Sequence, residues 1–248
     1  MTAPTKTTFI ITGFGPFGTV EENPTTVIIR HVSKTMNRLR DTTILKLKQK
    51  QKQDEEDDNK KNKRQRQRII LLHLGVARTT SFRLESCAYN EATFRIPDIC
   101  GYQPKQELII REDVLEKCYK TTLDLTSLCT KLTNRFGPKI CTEISTNPGR
   151  YVCNYVYCTS LQIALLSSSA SSKSKSKSKS EIKSVDINNN SNKTMENHEN
   201  NESTTNNTTN HDDDDDVICS LFLHVPSFSV VPEEEQLSYV AGLLQALI

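Results

Sequence analysis

The chain has little apolar sequence and no long apolar run. Only 35% of its 248 residues are hydrophobic, and the mean hydropathy is −0.53. No run approaches the ~18 apolar residues that a transmembrane helix requires, and the first residues contain no apolar segment typical of a secretory signal. We therefore expect a cytoplasmic protein whose cysteines are reduced, because disulfides persist mainly in secreted and other oxidised locations.

Several metal-binding and catalytic motifs are also missing. The eight cysteines form no C-x-x-C pair, which excludes the spacing of zinc ribbons and thioredoxin-like redox sites. Neither G-x-S-x-G nor H-E-x-x-H occurs, and the glycine loop at 13–18 lacks the Lys-Ser/Thr of a phosphate-binding loop. Pro16 also removes an N–H from that loop, which argues against a nucleotide-binding module. A net charge of +2 gives no reason to expect a nucleic-acid or membrane partner.

The polar residues are concentrated in two segments. Residues 48–68 are almost entirely charged or amide-bearing, and we interpret them as a charged insertion or loop whose basic half could also act as a nuclear-import signal. Residues 167–216 are rich in Ser, Lys, Asn and Asp and are predicted to be a disordered insertion. The remaining residues are sufficient for one buried core, so we predict a single domain over 1–248.

Apolar runs alternate with segments of helical periodicity in the rest of the chain. Helices are predicted to begin at Asn23-Pro24, to cover 122–136, and to begin near Cys153 and after Pro232. Strands are predicted at 9–12, 42–47, 69–76, 81–90, 139–145 and 217–226. Because strands separated by helices form parallel sheets, the predicted fold class is α/β: a three-layer α/β/α domain with a mostly parallel central sheet.

Cys153 lies just inside the start of a predicted helix, behind a Pro-Gly turn. A thiol there is close to unpaired backbone N–H groups and the positive end of the helix dipole, which together can lower its pKa. Ligands of open α/β sheets bind beyond the carboxyl ends of the strands, where His224 and the glycine loop are also expected. We therefore predict Cys153 as nucleophile, His224 as base and Glu85 as the carboxylate that orients it.

Cysteines and histidines in this chain also have an ordinary interpretation as buried core residues. Cys153 could be a small core residue, as we interpret Cys87, Cys141 and Cys219, which lie within apolar runs. His73 lies inside the most apolar predicted strand and is interpreted as a core histidine rather than a ligand.

Four motifs in this chain resemble, in the same order, those of the pyroglutamyl-peptidase I family, cysteine peptidase family C15. They are TGFGPFG at 12–18 with NP at 23–24; LE at 84–85 with NEATFRIPD at 90–98 and Gly101; GRYVCN at 149–154; and FLHVP at 222–226. The resemblance covers most of the chain outside the two polar segments.

This resemblance implies a single-domain α/β/α enzyme that removes an N-terminal pyroglutamate (5-oxoproline) from peptides without a metal or cofactor. It implies that Cys153 is the nucleophile, His224 the general base and later acid, and Glu85 the residue that completes the triad. It also implies a substrate pocket in which two phenylalanines sandwich the lactam ring, an asparagine bonds it, and an arginine and two wall residues lie close by: Phe14, Phe17, Asn23, Arg95, Tyr151 and Val152. The resemblance does not specify whether the protein forms a homo-oligomer.

The interval before Ile69 departs from the family pattern. The family normally has another strand, a loop and a full helix there, whereas this chain has a shorter interval that is largely charged. The alternative hypothesis is therefore a catalytically impaired family member that acts as a binding or interaction protein. The complete set of triad residues favours activity, and the shortened interval at 41–68 favours the alternative.

Overall fold

The computed structural model describes residues 6–16, 23–32, 34, 67–174 and 216–248. Three sequence-based predictions lie outside the described residues: the strand at 42–47, the position of Phe17, and the character of most of the two polar segments.

The described chain contains seven strands and four helices. Their bounds, in chain order, are β1 Lys6–Gly13, α1 over residues 24–32, β2 Gln67–Val76, β3 Phe82–Glu85, β4 Cys87–Tyr89, β5 Cys118–Lys120, α2 Leu125–Phe136, β6 Thr142–Ser145, α3 Val152–Ser174, β7 Val217–Val225 and α4 Glu233–Leu247.

Five strands form the central sheet in the order β1-β2-β7-β3-β6. The pairs β1–β2, β2–β7 and β3–β6 are parallel, and only the β3–β7 pair is antiparallel among these described strands. The predicted mostly parallel α/β fold is thus confirmed. The single strand predicted over 81–90 is instead two, because the chain leaves the central sheet at Ser86 and β4 pairs with β5 in a separate hairpin.

Strand alternation divides the core into two layers, one on each face of the sheet. On one face, residues such as Leu72 and Leu223 pack against α1, α2 and α4. On the other face, Phe222 packs against Tyr157 and Leu161 of α3 and against the β4–β5 hairpin. Helices therefore cover both faces, which confirms the three-layer arrangement. Full burial of each large apolar side chain contributes about 1.5–3 kcal/mol to folding.

Helix α3 extends further than its sequence pattern predicted. It continues through Ser174, so the start predicted for the disordered segment, residue 167, lies too early. At the other polar segment, β2 already begins at Gln67, whose N–H donates to the Asp216 carboxylate at 3.0 Å. No helix in the described parts of the chain combines the length and apolar character needed to cross a membrane.

Candidate active site

A buried histidine–glutamate pair lies where β7 and β3 run antiparallel. The strand register places Glu85 opposite Phe222 and Arg83 opposite His224, so Glu85 and His224 lie on the same face one diagonal step apart. His224 Nδ1 is 2.7 Å from Glu85 Oε1, and the two residues are only 6% and 1% exposed. A carboxylate on Nδ1 keeps the proton on that nitrogen and leaves the Nε2 lone pair available to act as a base.

Tyr157 of α3 holds the backbone of Glu85. Its buried hydroxyl donates to the backbone carbonyl of Glu85 at 2.8 Å, which connects α3 to the end of β3. The second carboxylate oxygen of Glu85, Oε2, is buried and has no hydrogen-bond partner within the described residues. The orientation of the carboxylate therefore depends on the bond to His224 and on the backbone anchor that Tyr157 supplies.

Cys153 is the second residue of α3 and follows a turn that Gly149 makes with φ of 82°. The first hydrogen bond of the helix runs from the N–H of Tyr155 to the carbonyl of Tyr151 at 3.1 Å. The N–H groups of residues 152–154 consequently have no acceptor inside the helix. They lie at the same helix start as the thiol, which makes them candidate donors to an oxygen anion.

Gly75 lets the thiol reach the strand that carries the histidine. A Cβ on Gly75 would lie 2.7 Å from the Phe222 ring, which is closer than a side chain allows, and 3.2 Å from Cys153 Sγ, which is tighter than most such contacts. Gly75 is also the register partner of His224 in the β2–β7 pair. The thiol therefore lies against the β2 residue that is the neighbour of His224 in the sheet.

Asn154 and Arg150 anchor the turn that presents the thiol. The buried Asn154 accepts from the N–H of Tyr89 at 2.8 Å and donates to the carbonyls of Tyr89 and Glu91 at 2.8 and 2.9 Å. Arg150 Nε is 3.2 Å from Glu91 Oε2, and its guanidinium lies 3.9 Å from the Tyr89 ring centroid. This anchor could not be identified from the sequence, because the residues that it joins, Asn154 on α3 and Tyr89 on β4, are far apart in the chain.

The environment of Cys153 changes the expectation for its charge. Burial raises the pKa of the Cys153 thiol to about 12, and the negative charge of Glu85 adds to this increase. The residue's own backbone N–H acts in the opposite direction but has a smaller effect. The lowered pKa that we predicted from the helix start is therefore wrong, because desolvation outweighs the helix dipole. At neutral pH the free protein holds a neutral thiol, which becomes a nucleophile only when a base removes its proton.

The glycine loop after β1 presents Phe14 next to this site. The backbone N–H of Phe14 donates to Thr25 Oγ1 at 3.0 Å, and its carbonyl accepts from the hydroxyls of Thr25 and Thr26. The Phe14 ring lies 6.2 Å from the Phe222 ring, centroid to centroid. The two threonines, which the sequence analysis did not single out, thus fix the position of the loop.

The side-chain amide of Asn23 is already engaged in hydrogen bonds within the protein. It is buried, its Oδ1 accepts from the N–H of Thr25 at 3.1 Å, and its Nδ2 donates to the carbonyl of Gly15 at 3.0 Å. Its bond to the Thr25 N–H caps the start of α1, and the helix start predicted at Asn23-Pro24 is confirmed. Its predicted contact with a lactam ring remains a prediction, as does the role of Phe17, which lies outside the described residues.

The other predicted pocket residues lie around the Cys153 turn and beyond it. Tyr151 packs edge-on against Phe94 with ring centroids 4.8 Å apart, and Val152 is half-buried at the helix start. Arg95 is exposed and lines a cleft that also includes Val76, the last residue of β2, and Ser227, which follows β7.

Three of the seven remaining cysteines are buried, as is His73. Cys87 and Cys219 are buried as predicted, whereas Cys141 is exposed because β6 begins only after it, so that prediction is wrong. His73 is a core histidine, as predicted: it is buried and its Nδ1 is 2.6 Å from Thr12 Oγ1. All eight cysteines of the chain are free thiols.

A cysteine beside a buried histidine–carboxylate pair, at the strand ends of a three-layer α/β/α fold, is the arrangement of a cysteine peptidase. The family comparison makes this specific. The family model for pyroglutamyl peptidases matches residues 7–173, and the chain belongs to this family of peptidases.

Relatives agree with this assignment. The chain is 32% identical over 158 residues to the pyrrolidone-carboxylate peptidase of Thermococcus litoralis, a match that covers 62% of this chain and 68% of that protein. It is 25% identical over 154 residues to human pyroglutamyl-peptidase 1, covering 61% and 71% respectively.

Solved structures show the same fold. The pyrrolidone carboxyl peptidase of Thermococcus litoralis superimposes with a TM-score of 0.57 at 18% identity, covering 97% of this chain and 92% of that chain. The enzyme of Fervidobacterium islandicum gives a TM-score of 0.56 at 20% identity, covering 98% of both chains.

Proposed function

We propose that this protein hydrolyses the peptide bond after an N-terminal pyroglutamyl (5-oxoprolyl) residue, using Cys153, His224 and Glu85. The observation that carries the proposal is the buried 2.7 Å contact between His224 Nδ1 and Glu85 Oε1, next to the thiol that lies against Gly75. The family's peptidase activity supports the same reaction.

The raised pKa of Cys153 defines how the first step proceeds. His224 Nε2 takes the thiol proton while Sγ attacks the pyroglutamyl carbonyl carbon, so that the thiolate forms only during the attack. Glu85 stabilises the imidazolium that results. The unpaired N–H groups at the start of α3 bind the carbonyl oxygen as it becomes an anion.

His224 then returns the proton to the leaving amine. The carbon–nitrogen bond breaks, the shortened peptide departs, and the pyroglutamyl group remains on Cys153 as a thioester. A water molecule gives its proton to His224 and attacks the thioester carbonyl, which releases pyroglutamate and restores the thiol. No step of this sequence requires a metal ion or cofactor.

Specificity rests on the lactam ring, which has no free amine for a carboxylate to recognise. In this proposal Phe14 and Phe17 sandwich the ring, and Asn23 forms a hydrogen bond with it. Tyr151 and Val152 form the walls of the same pocket. A small apolar slot with amide-directed hydrogen bonds rejects open-chain residues, because they leave those hydrogen-bonding groups unpaired. Peptides with an N-terminal pyroglutamate are therefore the proposed substrates. A reducing, cytoplasmic location would suit a thiol enzyme with eight free cysteines.

The alternative is a catalytically impaired family member that binds pyroglutamyl peptides without cleaving them. The raised pKa of Cys153 favours this alternative, since a thiol with pKa of about 12 is a poor nucleophile unless His224 assists it. Both hypotheses share the substrate pocket, so only a turnover measurement separates them.

The test is hydrolysis of an L-pyroglutamyl-arylamide under reducing conditions. We expect wild type to release the arylamine and Cys153→Ala to lower kcat/KM by roughly 10³-fold or more. Cys100→Ala is the matched control, because it removes an exposed thiol outside the site. Absence of turnover by folded wild-type protein would refute the proposed hydrolysis, and full activity in Cys153→Ala would refute the assignment of the nucleophile.

A further inference from the structure

A cleft with a strongly basic lining opens next to the candidate active site. It has a volume of about 800 Å³, within the usual range for small-ligand sites, and its lining includes Arg78, Arg83, Arg95 and Glu143. Three arginines and a single glutamate make its lining positive. None of the residues that take part in the proposed reaction steps lines this cleft.

Two residues that line the cleft are direct neighbours of site residues. Arg83 is the register partner of His224 in the β3–β7 pair, and directly opposed residues of an antiparallel pair lie on the same face with Cβ atoms about 4.5–5.5 Å apart. Val76, another lining residue, directly follows Gly75, against which the Cys153 thiol lies. These two neighbours place the cleft close to His224 and to the residue against which the thiol lies.

Much of the positive charge in the cleft is not neutralised by any of the described residues. Arg83 is engaged, with its Nε 2.5 Å from Glu143 Oε1. Arg78 and Arg95 are exposed, and neither side chain has a hydrogen bond or ion pair within the described residues. Guanidinium groups bind carboxylates through paired hydrogen bonds, so a carboxylate is the natural ligand for this surface.

The sheet order indicates which part of a substrate reaches the cleft. Phe14 enters the site from β1, whereas Arg83 lies on β3, on the other side of the central β2–β7 pair. With the lactam ring beside Phe14 and the scissile carbonyl at Cys153, the leaving part of the peptide extends towards β3. This orientation rests on the function proposed above.

We propose that the arginine cleft binds the leaving part of the substrate and selects pyroglutamyl peptides with a carboxylate shortly after the scissile bond. Arg78 is the specificity-determining residue, with Arg95 beside it. The carboxylate can be an acidic side chain at the next position or the C-terminal carboxylate of a very short peptide. Both sources present the same group to the same guanidinium.

The experiment measures binding to Cys153→Ala, which retains the pocket and cannot cleave. Two matched pairs of peptides separate the two sources: pyroglutamyl-glutamate amide against pyroglutamyl-glutamine amide, and pyroglutamyl-alanine against pyroglutamyl-alanine amide. We expect the carboxylate member of at least one pair to bind about two- to fivefold more tightly at low salt, which is the scale of one partly exposed ion pair. The difference should shrink as salt screens the charges.

Substitutions of Arg78 in the same background identify the group responsible. Arg78→Gln should bring the ratio of each responding pair close to one, and Arg78→Glu should favour pyroglutamyl-lysine amide instead. Lys131→Gln is the matched control: it removes one exposed positive charge on α2, where Lys131 Nζ donates to the carbonyl of Ala246. It should keep the wild-type ratios.

Equal binding within both pairs would overturn the proposal, as would a preference that survives both Arg78 substitutions or a failure of every peptide to bind. Because the binding of peptides to Cys153→Ala involves no bond cleavage, these outcomes do not depend on turnover. Wild-type protein that binds with the expected selectivity but releases no product would count against the proposed hydrolysis alone.

Discussion

The burial of His73 predicts a specific loss of stability in acid. The residue lies on β2 with its Nδ1 2.6 Å from Thr12 Oγ1, and its Nε2 has no partner within the described part of the chain. Burial lowers the pKa of His73 from 6.5 to about 4. The unfolded chain, where this pKa is ordinary, therefore binds a proton more readily than the folded protein, and acid favours unfolding.

The magnitude follows from the difference in pKa. The contribution of His73 is fully present above pH 6.5 and is lost progressively as the pH falls towards the folded pKa of about 4. With ~1.36 kcal/mol per pKa unit, the full effect is about 3 kcal/mol, of which about 2 kcal/mol is already lost near pH 5. That is a large part of the stability of a typical domain.

The assay is urea unfolding near pH 7 and near pH 5, for wild type and for His73→Gln. Glutamine is neutral at both values, so the variant should lose about 2 kcal/mol less unfolding free energy on acidification than wild type. All other titrating groups are shared and cancel in this comparison. Equal losses in the two proteins would refute the reasoning.

A direct titration keeps the test valid if the variant does not fold. The imidazole resonance of His73 in wild-type protein should remain that of the neutral ring until the pH is well below 5. A midpoint near the ordinary histidine pKa would contradict the burial argument.

Four further substitutions test the geometry of the site. Gly75→Ala places a Cβ 2.7 Å from the Phe222 ring and should lower kcat for the arylamide by about tenfold or more, whereas unchanged activity would contradict the close approach. Asn154→Ala leaves three backbone groups of the Tyr89–Glu91 region without partners and should lower the free energy of unfolding by about 3 kcal/mol in urea; a loss below about 1 kcal/mol would show that the anchor is dispensable. Glu85→Gln removes the charge that stabilises the imidazolium and should lower kcat by about 10²–10⁴-fold, while Tyr157→Phe, which removes only the bond to the Glu85 carbonyl, should cost less than about tenfold. Equal losses of kcat in Glu85→Gln and Tyr157→Phe would mean that the Tyr157 hydrogen bond, and not the Glu85 charge, makes the larger contribution to the rate.

The contrast between Cys153 and His224 shows what each level of information contributes. The motifs around both residues are local in the chain, so they could be identified from the sequence, together with the strands and helices that carry them. The pKa of the thiol could not, because it depends on what covers the sulfur. Gly75, Phe222 and Glu85, on three different strands, exclude water from it and place a negative charge nearby.

The α/β alternation, the family and the triad candidates could be inferred from the sequence alone, because hydrophobic periodicity and short motifs lie in consecutive residues. The tertiary structure alone decided that β3 pairs antiparallel with β7, a register that brings Glu85 to His224 and Arg83 to the mouth of the arginine cleft. It also revealed the Asn154 anchor and the close approach at Gly75. These features arise from contacts between residues far apart in the chain, and no local pattern specifies which distant backbone group or side chain will be there.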